Sequence, residues 1–164
     1  MKKFWLFCWF SVIFLGCEKD DICIEPNTTP RLIIDFYDSQ NTSVLKQVAN
    51  LVVQGEGANS TLNFNLVTRI ELPLKTNENF TQYTLNINST SSTLSNIDVL
   101  RFNYVRNDIY ISRGCGFKTN FELNLFEGFV KSNPTGDDEF WIENIELIKN
   151  KIDSEDDVHI KMYF

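Results

Sequence analysis

The sequence predicts an all-β protein, a single-domain antiparallel β-sandwich of about eight or nine strands. Apolar and polar residues alternate along residues 31–37, 80–88, 117–125 and 158–164. Alternation with a period of two is typical of strands that have one face in the core and one in solvent. Turn-forming residues separate these segments, and at most a short helix is expected, near residues 43–51.

The alternation also predicts which side chains are buried. In the third and fourth segments these are Phe117, Thr119, Phe121, Leu123 and Leu125, then Val158, Ile160, Met162 and Phe164. The same pattern places His159 on the polar face of the last strand. Weaker strand candidates lie at residues 49–54, 68–74, 97–105, 108–113 and 141–148. Residues 106–108 are predicted to form a turn between two of these candidates.

The first residues have a different character from the rest of the chain. A basic start is followed by an apolar run over residues 4–15, then by the small residue Gly16 and by Cys17. This is the layout of a secretory signal, and its end resembles a bacterial lipobox, in which the cysteine is acylated and the peptide is cut just before it. We therefore expect a signal peptide over residues 1–16, an acylated Cys17 with an acidic tether over residues 17–21, and the sandwich over residues 22–164.

The charge of the chain limits the classes of partner. The formal net charge is −7, and it becomes −9 when Lys2 and Lys3 leave with the signal. An acidic surface repels nucleic acid and anionic headgroups, so no nucleic-acid partner is predicted. The membrane is expected to be reached through the lipid anchor, and any further partner is an unidentified protein or glycan.

Two cysteines remain after the signal and the lipid are accounted for. Cys23 and Cys115 form an even pair in an exported protein, the setting in which disulfides form and persist. A bridge between them would constrain the unfolded chain by about 4–5 kcal/mol. Two buried thiols that never meet are the alternative, because the sequence does not give their separation.

Few side chains offer catalytic or metal-binding chemistry. His159 is the only histidine, and we find no nucleophile elbow, phosphate-binding loop or His/Cys cluster in the sequence. No catalytic residue and no cofactor are therefore predicted. Asp153, Glu155 and Asp157 have the spacing that begins a calcium loop, but Val158 and Phe164 replace the glycine and glutamate that such a loop needs. They are weak calcium candidates.

The main functional prediction is a non-enzymatic binding or structural module on a rigid sandwich whose loops carry recognition. The candidate binding patch consists of Phe140 and Trp141, beside the loop over residues 128–139. One alternative is a surface hydrolase that acts on glycans through paired carboxylates. A second alternative is a small outer-membrane β-barrel, because the alternation over residues 158–164 resembles the C-terminal signal of such barrels.

Two resemblances add a location. Lys19, Asp20 and Asp21 follow Cys17 closely and resemble the export signal of Bacteroidota surface lipoproteins. Residues 17–23, 29–38 and 112–121 are similar to a family of small flavobacterial outer-membrane lipoproteins of unknown function. This resemblance implies an outer-membrane protein that faces the cell exterior, a β fold and pairing of Cys23 with Cys115, and it implies no active site.

Overall fold

A computed structural model describes Cys23, residues 28–134 and residues 139–164. The predicted signal, Cys17, and the motif at Lys19, Asp20 and Asp21 lie outside the described residues. In the described part the chain contains eleven strands and no helix. The strands are β1 (Leu32–Tyr37), β2 (Leu51–Gly55), β3 (Thr61–Phe64), β4 (Arg69–Leu72), β5 (Phe80–Ile87), β6 (Asn96–Ser112), β7 (Gly116–Leu123), β8 (Phe129–Ser132), β9 (Asn144–Leu147), β10 (Lys151–Ile152) and β11 (Ile160–Tyr163). The all-β prediction is confirmed.

The strands form two open sheets that pack as a sandwich. One sheet has four strands in the order β4-β1-β11-β9. The other has seven, in the order β10-β7-β6-β5-β2-β3 with β8 paired to β6. The described residues include no helix that could span a membrane.

By its internal contacts the chain divides into two compact units. The larger comprises Thr29–Ile109 and Thr119–Phe164 and contains the hydrophobic core. The described residues of the smaller unit are Cys23, Thr28 and the segment Tyr110–Lys118, which includes the turn between β6 and β7.

The core follows from the alternation along the strands. On β5, Tyr83, Leu85 and Ile87 are buried while the residues between them are partly exposed. Leu32, Ile34 and Phe36 of β1 belong to the same buried cluster. Each large apolar side chain removed from water in this way contributes about 1.5–3 kcal/mol to the free energy of unfolding. The ring of Phe36 also contacts the rings of Trp141 and Phe164, at centroid distances of 6.4 and 6.0 Å.

The sheets differ from the predicted architecture in strand number and direction. The structure has eleven strands rather than eight or nine: β3, β8 and β10 lie where the sequence predicts no strand, while the candidates at residues 97–105 and 108–113 form one strand, β6. The sandwich is not wholly antiparallel, since β1 and β11 pair in parallel with Ile34 opposite Ile160. Residue alternation reports which face is buried but not the direction of the neighbouring strand.

Near residues 43–51, where the sequence predicts at most a short helix, no helix forms: Leu45 bridges to Tyr37, and Leu51 opens β2. Two other local predictions were wrong. No turn forms at residues 106–108, because β6 continues through them to Ser112. Phe117 and Leu125 are each 69% exposed rather than buried. Phe117 belongs to the smaller unit, and Leu125 lies beyond the end of β7.

Candidate functional site

An uncharged groove, which we call the asparagine groove, lies beside the paired strands β2 and β3. Its volume is about 290 Å³. The lining residues are Asn50, Leu51, Val52, Asn63, Phe64, Asn65, Ser89 and Thr90. None of these side chains carries a charge, in a chain whose formal net charge is −7.

Backbone geometry and hydrogen bonds fix one wall of the asparagine groove. Asn50 has a φ of 46°, in the left-handed region that asparagine tolerates better than most residues. Its N–H donates to Oδ1 of Asn65 over 3.1 Å, and its carbonyl accepts from the hydroxyl of Ser89 over 2.8 Å. The N–H of Ser89 donates to the same carbonyl over 3.1 Å. The groove is thus preformed from three separate chain segments.

Other polar groups of the asparagine groove remain available to a ligand. Within the described part of the chain, the side chains of Asn63 and Thr90 make no hydrogen bond. An amide offers both donors and acceptors, and a hydroxyl offers both as well. The arrangement therefore suits a neutral ligand rich in hydroxyl groups.

A second cavity, of about 280 Å³, lies by the end of β2 and the connection from β4 to β5. Val53, Leu62 and Leu74 supply much of its apolar lining. The hydroxyl of Tyr83, also in the lining, donates to the carbonyl of Pro73. Burial raises the pKa of Tyr83, so this phenol stays protonated at neutral pH. The cavity suits a small apolar group.

A chain of hydrogen bonds supports that cavity from within the core. The N–H of Lys75 donates to Oγ1 of Thr81 over 2.8 Å. The hydroxyl of Tyr104 donates to the carbonyl of Lys75 over 2.9 Å and lies 2.6 Å from Oγ1 of Thr81. Burial raises the pKa of Tyr104. These hydroxyls hold the loop after β4 in place.

Neither cavity holds the carboxylate pair that glycoside hydrolysis needs. In the second cavity, Glu56 is the one lining residue with a carboxylate. The asparagine groove has no carboxylate in its lining. Glycosidases ordinarily place two carboxyl groups on either side of the bond that they cleave. Neither of these two cavities offers that arrangement.

The three weak calcium candidates do not converge on a common point. Asp153 and Asp157 each accept from Nζ of Lys149, over 2.9 and 3.0 Å. Glu155 accepts from both Nε and an Nη atom of Arg31, each over 2.7 Å. These bonds lower the pKa of Glu155 to about 2. In the part of the chain that the structure describes, no group of three acidic, histidine or cysteine residues could hold a metal ion.

His159 is buried, although alternation placed it on the polar face. It is 0% exposed, and its Nδ1 accepts from the backbone N–H of Ile33 over 2.9 Å. Burial, the largest cause, together with the nearby charge of Lys149 lowers the pKa of His159 to about 4, against smaller opposing effects of the acidic residues that follow β10. The neutral ring carries its proton on Nε2, which has no hydrogen-bond partner among the described residues. This histidine stabilises the junction of β1 and β11.

The predicted patch of Phe140 and Trp141 is only partly at the surface. Phe140 is 40% exposed, with Nζ of Lys131 4.1 Å from its ring centroid. Trp141 packs against the core and donates from Nε1 to the carbonyl of Leu85 over 3.2 Å. Trp141 therefore has a structural role, and Phe140 alone is presented.

The disulfide between Cys23 and Cys115 is present, with the two Cα atoms 4.7 Å apart. The N–H of Cys115 donates to Oγ of Ser112 over 3.0 Å, which closes the turn between β6 and β7. In the same turn Gly116 has a φ of 71°, a conformation that glycine adopts at little cost.

Comparison with known proteins gives a family and no function. A family model described as a family of unknown function (DUF6452) matches residues 50–164. The match includes both cavities and Cys115, and it begins after Cys23 and β1. No curated protein and no solved structure gives a significant match.

Proposed function

Because the chain belongs to the DUF6452 family, whose function is unknown, we propose a role from its own residues: a lipid-anchored outer-membrane module that binds an uncharged glycan in the asparagine groove. The anchor is the acyl group on Cys17, and the export motif at Lys19, Asp20 and Asp21 places the module on the cell exterior. The observation that carries the proposal is the uncharged, preformed groove on an acidic protein.

The chemistry of the asparagine groove supports a glycan over an ionic ligand. Sugar hydroxyls pair with amide and hydroxyl side chains in either direction, because both partners donate and accept. A charged ligand would find no opposite charge there to offset its desolvation. Preformed walls such as the bonded pair Asn50 and Asn65 reduce the ordering cost of binding.

The experiment is a binding titration of the purified mature lipoprotein in detergent. The probes are the hexasaccharides of cellulose, xylan, laminarin and starch. Isothermal titration calorimetry measures the affinity for each of them. Asn63→Ala should weaken the binding of the recognised oligosaccharide by about tenfold, as expected for loss of one or two hydrogen bonds. Asn107→Ala removes an exposed amide outside the groove and should leave the affinity unchanged.

Two outcomes would overturn the glycan proposal. One is the absence of binding to any of the four probes. The other is binding that Asn63→Ala and Asn107→Ala weaken equally. No hydrolysis of a bound probe is expected, and its cleavage by the purified protein would favour the hydrolase alternative.

A further inference from the structure

The segment Tyr110–Lys118, here called the hairpin tip, exposes two aromatic rings. Tyr110 is 56% exposed and Phe117 is 69% exposed. The rings stack edge to face with their centroids 5.3 Å apart, so they form one apolar surface. Exposed apolar surface of this kind commonly marks an interaction site on a soluble domain.

The hairpin tip is also basic. It contains Arg113 and Lys118 and no acidic residue, although the formal net charge of the chain is −7. An aromatic pair beside two cations is the composition that favours the interface between lipid headgroups and acyl chains. The repulsion expected between the acidic chain and anionic lipid therefore does not apply at this segment.

The disulfide limits how far the hairpin tip can lie from the lipid. Cys115 is bonded to Cys23, and six residue steps separate Cys23 from Cys17. Six steps of fully extended chain span at most about 22 Å. If Cys17 carries the acyl chains, Cys23 and the tip bonded to it must stay within about that distance of the bilayer surface.

We propose that the hairpin tip binds the lipid interface of the membrane that holds the anchor, with Tyr110 and Phe117 inserted among the headgroups. This inference rests on the lipid anchor of the proposed function. The tip adds a second contact to the acyl chains, and two signals together give firmer membrane attachment than one. The cations Arg113 and Lys118 lie in the headgroup layer, where anionic phosphates attract them.

The test measures how close Phe117 comes to lipid. Phe117→Trp is introduced into the full lipoprotein, which is reconstituted into phosphatidylethanolamine and phosphatidylglycerol vesicles whose acyl chains carry bromine, a quencher of tryptophan fluorescence. The matched control is Phe126→Trp, at a residue 100% exposed in the larger unit. Trp141 is present in both proteins and contributes equally to each.

We expect the added tryptophan at residue 117 to be quenched at least about twofold more than the one at residue 126. Cys23→Ser with Cys115→Ser should lower the quenching at residue 117 to the level of the control, because the tether is removed. Equal quenching at residues 117 and 126 would overturn the membrane contact. A protein partner would then be the remaining candidate to bind the aromatic pair. Unchanged quenching in the double serine variant would overturn the role of the tether.

Vesicle flotation separates this proposal from the anchor on which it rests. A lipoprotein that floats with vesicles but shows no selective quenching at residue 117 contradicts the hairpin proposal alone. A protein that fails to float contradicts the anchor, and with it the proposed function.

Discussion

The backbone of Ile33 and the residue His159 exchange two hydrogen bonds in the interior of the protein. The N–H of Ile33 donates to Nδ1 of His159 over 2.9 Å, and the N–H of His159 donates to the carbonyl of Ile33 over 3.1 Å. The ring thereby continues the pairing of β1 with β11 beyond Ile160. Because Nδ1 accepts, this contact requires the neutral ring.

The first prediction concerns the dependence of stability on pH. The pKa of His159 is lowered to about 4 in the folded protein, against about 6.5 in the unfolded chain. Acidification below pH 6.5 therefore protonates the unfolded state first, and stability falls until the pH reaches about 4. The loss approaches about 3 kcal/mol across this window. Urea denaturation at pH 7 and at pH 5 measures the part of this loss that is complete by pH 5, about 2 kcal/mol.

The control for this prediction is His159→Asn, in which the amide oxygen can accept from Ile33 but does not titrate. This variant should lose much less stability between pH 7 and pH 5 than the wild type. Glu155, with its lowered pKa of about 2, affects stability only below about pH 4.5 and does not confuse this window. Equal pH dependence in the two proteins would contradict the role given to His159.

The second prediction concerns Tyr104, whose hydroxyl contacts Thr81 and the carbonyl of Lys75. Tyr104→Phe leaves the buried hydroxyl of Thr81 and the partly buried carbonyl of Lys75 without this partner, so the free energy of unfolding should fall by about 1–3 kcal/mol. Tyr110→Phe makes the same chemical change at an exposed ring and should alter stability by less than about 0.5 kcal/mol. Chemical denaturation measures the free energy of unfolding of both variants. An equally small loss in the two would show that the hydroxyl of Tyr104 does not stabilise the protein.

The third prediction concerns the disulfide between Cys23 and Cys115, which closes a sequence separation of 92 residues. A loop of that length lowers the entropy of the unfolded chain by the equivalent of about 4–5 kcal/mol on the loop-closure model. The double serine variant should therefore unfold at a clearly lower denaturant concentration. A fully alkylatable pair of thiols in the native protein would show instead that the bridge does not form.

The fourth prediction concerns display on the cell exterior. Replacing Lys19, Asp20 and Asp21 together by alanine should leave the protein lipid-anchored but protect it from protease added to intact cells. The wild-type protein should be digested under the same conditions. Digestion of both proteins at equal rates would show that the three residues carry no export information.

Alternation along the chain predicted much of the fold. It identified β5 and the buried positions of Tyr83 and Leu85, because buried and partly exposed residues alternate along the whole of that strand. It misplaced His159, which is buried, and Phe117, which is exposed, because a period of two identifies opposite faces of a strand and does not say which of them the rest of the fold buries. The parallel pairing of β1 with β11 leaves no mark in either strand alone.

The candidate site was harder to predict than the fold. The asparagine groove draws Asn50, Asn65 and Ser89 from three segments, and their proximity is set by the pairing of β2 with β3 and β5. The signal in the sequence was the abundance of asparagine, serine and threonine, which is equally typical of solvated turns. The two cysteines were predictable because export and an even count favour a bridge.

Mass spectrometry of the N-terminal peptide, from protein purified out of membranes, tests the lipid anchor on Cys17. We expect a mature chain that begins at Cys17 and carries the mass of a lipid on that residue. A membrane-derived chain that retains residues 1–16, or one whose Cys17 is unmodified, would contradict this anchor.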